Sequence, residues 1–405
     1  MKRQLVHPAL VVIAAGVAAA LHVGKLSPAL PALGQALGVT LVQAGFLLSL
    51  VQLAGMTLGL VAGLTADGLG LRRSMLGGLL LLSAASLLGG WARDVPALLV
   101  LRAVEGLGFL LVSMPAPSLI RHLVKPERMS VMLGLWGAYM PLGTASALLC
   151  GPLFISLFGW ESWWWVLAVL TLAMAVWVWQ VVPPDTPRTS ATKGQPLQQP
   201  GWGHRLRLTL GAPGPWLVAL SFAVYSGQWL AVIGFLPTIY AQAGVAGGLS
   251  AVLTALVAAV NMVGNIASGR LLGRGVKPQI LLYAGFAVMG LGTWLAFVTF
   301  PLSPEGLGLP PVLRFVAVVL FSMVGGMIPG TLFSLAVRLA PGEGTVSTTV
   351  GWMQQWASFG QFAGPPLVAW VASGAGGWHW TWAVTGGCSL IGLALARQLG
   401  QRSRA

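Results

Sequence analysis

The sequence predicts an all-α membrane protein, with twelve transmembrane helices in two six-helix pseudo-repeats. Three observations carry this. Of 405 residues, 56% are hydrophobic and only 7% charged; apolar runs of spanning length recur along the chain; and the basic residues fall in alternate loops.

Soluble domains carry about 25% charged residues, so most of this chain's surface must face something apolar, and the bilayer is the candidate. Runs of ~20 apolar residues, enough for ~30 Å of hydrocarbon, lie at 8–33, 41–66, 73–93, 97–119, 130–156 and 162–183. A second set lies at 215–240, 249–271, 279–300, 312–338, 346–372 and 379–396.

The net charge of +14 raises the question of nucleic acid. Location answers it. Of 22 Lys and Arg residues, 18 lie at the two ends or in alternate loops, with Arg93 and Arg314 alone in the others and Lys25 and Arg102 inside apolar runs. That alternation follows the positive-inside rule and is expected to put both termini in the cytoplasm; a nucleic-acid-binding stripe would not skip every second loop. Cys150 and Cys388 both sit in apolar stretches, which indicates no disulfide framework. The first apolar run is too long for a removable signal peptide.

The expected organisation is an N-terminal six-helix bundle over 1–183, a cytoplasmic linker over 184–214 and a C-terminal six-helix bundle with a short tail over 215–405. The linker is rich in Pro, Gly, Ser, Thr and Gln and lacks apolar periodicity. The halves echo each other. A shift of 206 residues takes Pro31 onto Pro237 and Gly63 onto Gly269. Later, Gly151-Pro152 is matched by Gly364-Pro365, and the Trp-rich run from Trp160 to Trp165 by that from Trp378 to Trp382. Six spans per copy give parallel repeats, with a substrate site expected between them near the midplane. The Trp runs read as interfacial anchors.

The loop between spans two and three runs from Gly63 through Asp67, Gly68 and Gly70 to Arg72 and Arg73. It resembles the signature loop of the major facilitator superfamily: Gly, three residues, Asp, a basic residue, any residue, Gly, then basic residues. Gly63, Asp67, Gly70 and Arg72 match, whereas Gly68 and Leu71 stand where the family has basic residues. With the twelve spans and the linker, the resemblance covers essentially the whole chain and implies the major facilitator fold. It also implies that Gly63, Asp67, Gly70 and Arg72 latch a cytoplasmic gate. In the second half Gly273 replaces the acid, so the matching loop lacks the carboxylate of a latch.

Span four contains Arg102, Glu105, Gly106 and Gly108, similar to the family's fourth-helix motif of Arg, two residues, a polar residue, Gly, one residue and Gly. Arg102 and Glu105, three apart, share a helix face. Charges in a span are costly and face a partner or an aqueous cavity, so the pair reads either as self-neutralising or as lining the cavity, and the resemblance favours the cavity. Lys25 precedes the outer end of span one by about the distance that Glu105 follows the outer start of span four, so helix rise puts both at one depth. Lys25 could pair with Glu105, hold an anionic substrate or snorkel outward. Nearby His22 could titrate near neutrality or simply pack. Glu105 is the only acidic residue well inside a span and hence the first candidate for a coupling proton.

The second half offers Tyr225, Gln228, Trp229, Asn261, Asn265, Gln354 and Gln355 as neutral cavity walls, joined in the first half by Tyr139 of span five. Gly24-Lys25-Leu26-Ser27-Pro28 and the stretch from Gly134 to Gly143 resemble the cyanate-permease and nitroimidazole-transporter branch of the superfamily. The Gly-x-x-x-Gly-Pro signature of drug–proton antiporters is incomplete, with Ala147 at its first Gly.

The resulting expectation is a secondary active transporter of a small solute, with a small organic anion as candidate and protons as the coupling ion. The first alternative is a drug or metabolite exporter of the same fold. No phosphate-binding loop for ATP is present, no cofactor or metal is expected, and the five His lack the clustering an intramembrane enzyme needs. A channel would need a ring of selectivity ligands. The expected setting is the bacterial cytoplasmic (inner) membrane, with lipid and a small-molecule substrate as partners and a monomeric chain.

Overall fold

The computed structural model describes residues 7–125, 132, 135–185, 202–298, 308–342 and 345–402, with backbone alone for 62–69, 347 and 402. The first half comprises α1 (Pro8–Gly24), α2 (Leu26–Leu37), α3 (Leu41–Ser49), α4 (Leu53–Leu69), α5 (Leu71–Gly89), α6 (Val95–Ser113), α7 (Ala116–Leu123), α8 (Tyr139–Phe158) and α9 (Trp160–Val181). After α10 (Trp202–Gly211), the second half comprises α11 (Pro213–Gln242), α12 (Gly247–Ala259), α13 (Asn261–Gly273), α14 (Pro278–Phe297), α15 (Pro311–Gly325), α16 (Met327–Arg338), α17 (Val346–Gly374) and α18 (Thr381–Arg402). No strand occurs among the described residues, as expected where hydrocarbon offers the backbone no partner and each segment must bond to itself.

Among the described residues, ten stretches are long and apolar enough to cross a membrane, several of them built from two consecutive helices, such as Pro8–Leu37 and Val95–Leu123. With α17 and α18, of 29 and 22 residues, the spans number twelve. Their ends carry ordinary punctuation. Thr40 and Gln43 form a reciprocal capping box at α3, and Asp94 accepts from the N–H of Ala97 at the start of α6. Gly70 and Gly159, at φ 87° and 82°, make the turns into α5 and α9.

Breaks within spans were not legible in the hydropathy. The first span is interrupted at Lys25, the second by a 3₁₀ turn over Leu50–Gln52, and others near Val260 and Gly326. The expected linker also contains helix, which its composition does not suggest. Its end forms α10, fastened to α11 by the Trp216 indole N–H donating to the Leu210 carbonyl at 2.8 Å.

Small residues set the closest crossings, as membrane packing favours. Span one crosses α8 through a ladder of Ala20 on Gly143, Gly24 on Thr144 and Ala147, and Pro28 on Gly151. The counterpart in the second half is α11 on α17, where a Cβ on Gly227 would stand 2.6 Å from the Gly360 carbonyl oxygen. The halves meet where Gly45 lies against Pro365 and Pro366, Gly55 against Ser358, and the N–H of Leu60 donates to Gln355 Oε1 at 3.0 Å.

Burial along the two central spans is uneven. Residues 18–30 and 225–237 are buried without interruption, whereas Leu10, Ile13, Ala14 and Val17 in α1, and Leu220 and Val224 in α11, are partly or fully exposed. The middle of the protein is therefore sealed on the side of residue 30 and open on the side of residue 8.

Candidate functional site

The break in the first span brings three charged side chains together. Glu105, on α6, pairs with Lys25 through Oε1 and with Arg102 Nη1 through Oε2 at 2.7 Å. All three are at most 2% exposed. The equal depth expected from helix rise is realised as this contact.

Each cation has further partners. Lys25 Nζ donates to Ser86 Oγ at 3.0 Å and lies 4.7 Å from the centroid of the Trp164 ring, and a desolvated ammonium over an indole gains about 2 kcal/mol. Arg102 Nε donates to the Leu47 carbonyl at 3.0 Å, Nη1 to that of His22 at 2.5 Å and Nη2 to that of Val23 at 3.2 Å. The guanidinium thus satisfies carbonyls at the end of α1, one turn before the chain breaks. His22 Nε2 pairs with Thr171 Oγ1 at 2.7 Å, and its Nδ1, 3.7 Å from Glu105 Oε1, has no hydrogen-bond partner. The adjoining void, lined by Leu26, Leu47, Arg102, Glu105 and Trp164, measures about 10 Å³, room for about one water. The charges form a closed knot inside the first half, and no solute fits beside them in this state.

Two contributors escaped sequence reasoning. Ser86 is one of many small residues in an apolar run. Trp164 belongs to a run read as interfacial anchors, yet Trp160, Trp163 and Trp164 are 6%, 2% and 3% exposed and pack into the first half. Indole burial leaves no mark in the sequence, because Trp serves interface and core alike.

Of the other expected site residues, Tyr139 stacks on Trp136 with centroids 4.2 Å apart. Gln228 accepts from Ser389 at 3.1 Å, and Trp229 donates to Ser322 at 3.0 Å. Asn261 Nδ2 donates to Tyr225 at 3.0 Å and to the Ser322 carbonyl at 2.9 Å, while Asn265 donates to Asn261 Oδ1 at 3.0 Å. Apart from Tyr139, these groups find their partners within the second half. Gln354 is half-buried on α17.

In the gate loop, the side chains of Gly63 and Asp67 lie outside the described residues. Gly70 turns over Asp185, whose carboxylate accepts from the N–H groups of Arg72 and Arg73 at 3.0 and 3.1 Å. Arg72 also donates from Nη2 to the Trp179 carbonyl at 2.5 Å. An acid beyond the sixth span therefore caps α5.

Among curated proteins, the chain is 30% identical over 268 residues to a chloramphenicol resistance protein of Streptomyces lividans, covering 64% of this chain and 65% of that one, just under two thirds of its length. It is 24% identical over 318 residues to the cyanate transport protein CynX of Escherichia coli, covering 78% and 76%. A crystal structure of a bacterial homologue of the human lysosomal transporter Spinster, inward-facing and unoccupied, superposes with a TM-score of 0.78 over 99% of this chain and 98% of that one, at 15% identity. The sequence profile of the Major Facilitator Superfamily matches residues 9–359. With that match over the greater part of its length, the chain belongs to the Major Facilitator Superfamily and is an integral membrane transporter, not an enzyme.

Proposed function

We propose that the chain is a secondary active transporter that moves a small organic anion by alternating access, and that Glu105 carries the coupling proton. The observation that supports this is the contact of one carboxylate with Lys25 and Arg102 at the break in the first span. A proton on Glu105 cancels its attraction for Lys25. Arg102 keeps its three carbonyls, but the ammonium is left with Ser86 and Trp164. It would then hold an anion, so that proton and anion arrive together and the buried charge stays constant. The bundles over 1–183 and 215–405 would rock about the buried site, joined by 184–214. Gly63, Asp67, Gly70 and Arg72 would latch the side that carries the termini, which this reading makes the cytoplasmic side of a bacterial inner membrane. Tyr139, Gln228, Trp229 and Gln354 would contribute neutral walls once the halves separate.

The test is uptake by proteoliposomes of radiolabelled short-chain carboxylates and cyanate, with and without an imposed pH gradient. Gradient-driven accumulation is the expected result, and anion flux indifferent to the gradient would exclude the coupling.

A second reading, export of a drug or other neutral metabolite, has one structural observation in its favour. Both buried cations are already engaged, and the exposed part of span one is apolar at Leu10, Ile13, Ala14 and Val17. The likeness to a chloramphenicol resistance protein agrees with it. The same vesicles loaded with chloramphenicol separate the two readings.

A further inference from the structure

A second cavity, of about 290 Å³, lies on the sealed side of the protein, away from the charged knot. It is cut between the halves. Pro28 and Pro31 of α2 and Leu148 and Pro152 of α8 form one wall; Pro237 of α11 and Thr254 of α12 belong to the other. Pro28, Leu148, Pro237 and Thr254 are buried at its floor, whereas Gln35, Ser156 and Ala241 are exposed at its rim. It is a well open to the surface opposite the chain termini. At the lower end of the range for ligand pockets, its volume suits a molecule of a few carbons with one polar head.

The lining decides what that head can be. No Lys, Arg, Asp or Glu contributes to it. Four helix ends converge on the well: α2 finishes at Leu37, α8 at Phe158 and α11 at Gln242, while α12 begins at Gly247. Three carbonyl ends against one N–H end leave a negative balance, at about half a charge per end. The prolines add to it, because each supplies no N–H to the carbonyl four residues back. Leu148, which lines the well four residues before Pro152, is one such position. Hydroxyl donors are mostly committed. Thr254 donates to the Ser250 carbonyl at 2.8 Å and Ser156 to that of Leu153 at 3.0 Å. The well is walled by apolar groups and uncharged polar side chains, so the balance of helix ends sets its sign.

We propose that this well is a binding site for a small organic monocation, an ammonium on a short apolar body. It is separate from the Lys25–Glu105–Arg102 knot and independent of the reading given for that site. An occupant would touch α2 and α8 of one half and α11 and α12 of the other.

The test uses the full chain in lipid nanodiscs, with Cys150→Ser and Cys388→Ser removing the native thiols and Ser250→Cys, near-isosteric, placed in the well. Labelling by a neutral maleimide is followed in hexylamine, protonated at neutral pH, or in hexanoate. Hexylamine is expected to slow labelling at least fivefold and hexanoate to leave it unchanged. Equal protection by both, or none by hexylamine, overturns the proposal. Ala251→Cys on the same helix is the second site, so that misfolding of one variant does not decide the matter. A third arm compares cationic and anionic methanethiosulfonates, each normalised to its rate with free cysteine. The cation is expected to react faster, and faster reaction of the anion also overturns the proposal.

Discussion

The carboxylate of Asp185 accepts from the main-chain N–H groups of both Arg72 and Arg73, at 3.0 and 3.1 Å. The residue stands just beyond α9, yet it caps α5. The first turn of α5 has no other side-chain cap, so the contact ties the gate loop to the start of the segment that joins the halves.

Asp185→Ala therefore removes two acceptors from a helix start and is expected to cost about 1–2 kcal/mol. The thermal midpoint of the purified protein in detergent reads it directly. Asp185→Asn, with one carbonyl oxygen left, should fall between Ala and the parent.

Lys25→Met leaves Glu105 buried with Arg102 alone. Breaking a buried pair costs about 3–5 kcal/mol, whereas removing both partners costs far less. The double variant Lys25→Met, Glu105→Gln should thus be more stable than Lys25→Met by itself, while anion transport stays lost in both. Thermal unfolding and vesicle flux, measured on the same preparations, separate the two effects. Anion flux unchanged in Lys25→Met would remove Lys25 from the transport reaction.

Glu105→Gln keeps one acceptor oxygen, for Lys25 or Arg102 but not both, and binds no proton. Anion counterflow at fixed pH should survive, and accumulation driven by a pH gradient should vanish. Retained gradient-driven accumulation would move the coupling proton to another group, with His22 the neighbour to examine.

Arg102→Lys retains the charge and loses the fork. A lysine ammonium cannot reach carbonyls on both α1 and α3 while pairing with Glu105. A marked loss of thermal stability is expected, of the same order as Arg102→Gln, and a near-parental midpoint would show that charge alone suffices.

Gly360→Ala places a methyl group against the Ala223 carbonyl oxygen at the crossing of α17 and α11. Overpacking of this kind costs about 1–3 kcal/mol. Gly269→Ala, the paired control, meets nothing within 4 Å and should leave the midpoint unchanged.

Much of this architecture is legible in the residues, for a physical reason. Spanning length and the distribution of Lys and Arg are one-dimensional properties, and so is the spacing that sets Lys25 level with Glu105. Facing is not. Helices apolar on every side carry no stripe that says which neighbour they meet, so nothing marked Gln228 for Ser389 or Trp229 for Ser322. The broken spans were missed likewise: apolar residues run on through the break at Lys25, although Gly24 and Pro28 flank it, and Leu50–Gln52 tightens without a proline. Asp185 was invisible because its partners are main-chain groups more than a hundred residues away.

The guanidinium of Arg102 has a mechanical consequence. It joins α6 to α1 and α3 by main-chain contacts, where side-chain rotamer changes give no slack. The notch at Lys25 would otherwise let the two parts of the first span pivot freely. Splinted in this way, the lower arm cannot swing without dragging α6 and α3 along. A push on α1 from the open vestibule is transmitted as torque to the entire first half, and whatever compliance the machine needs must come from the seam between the halves.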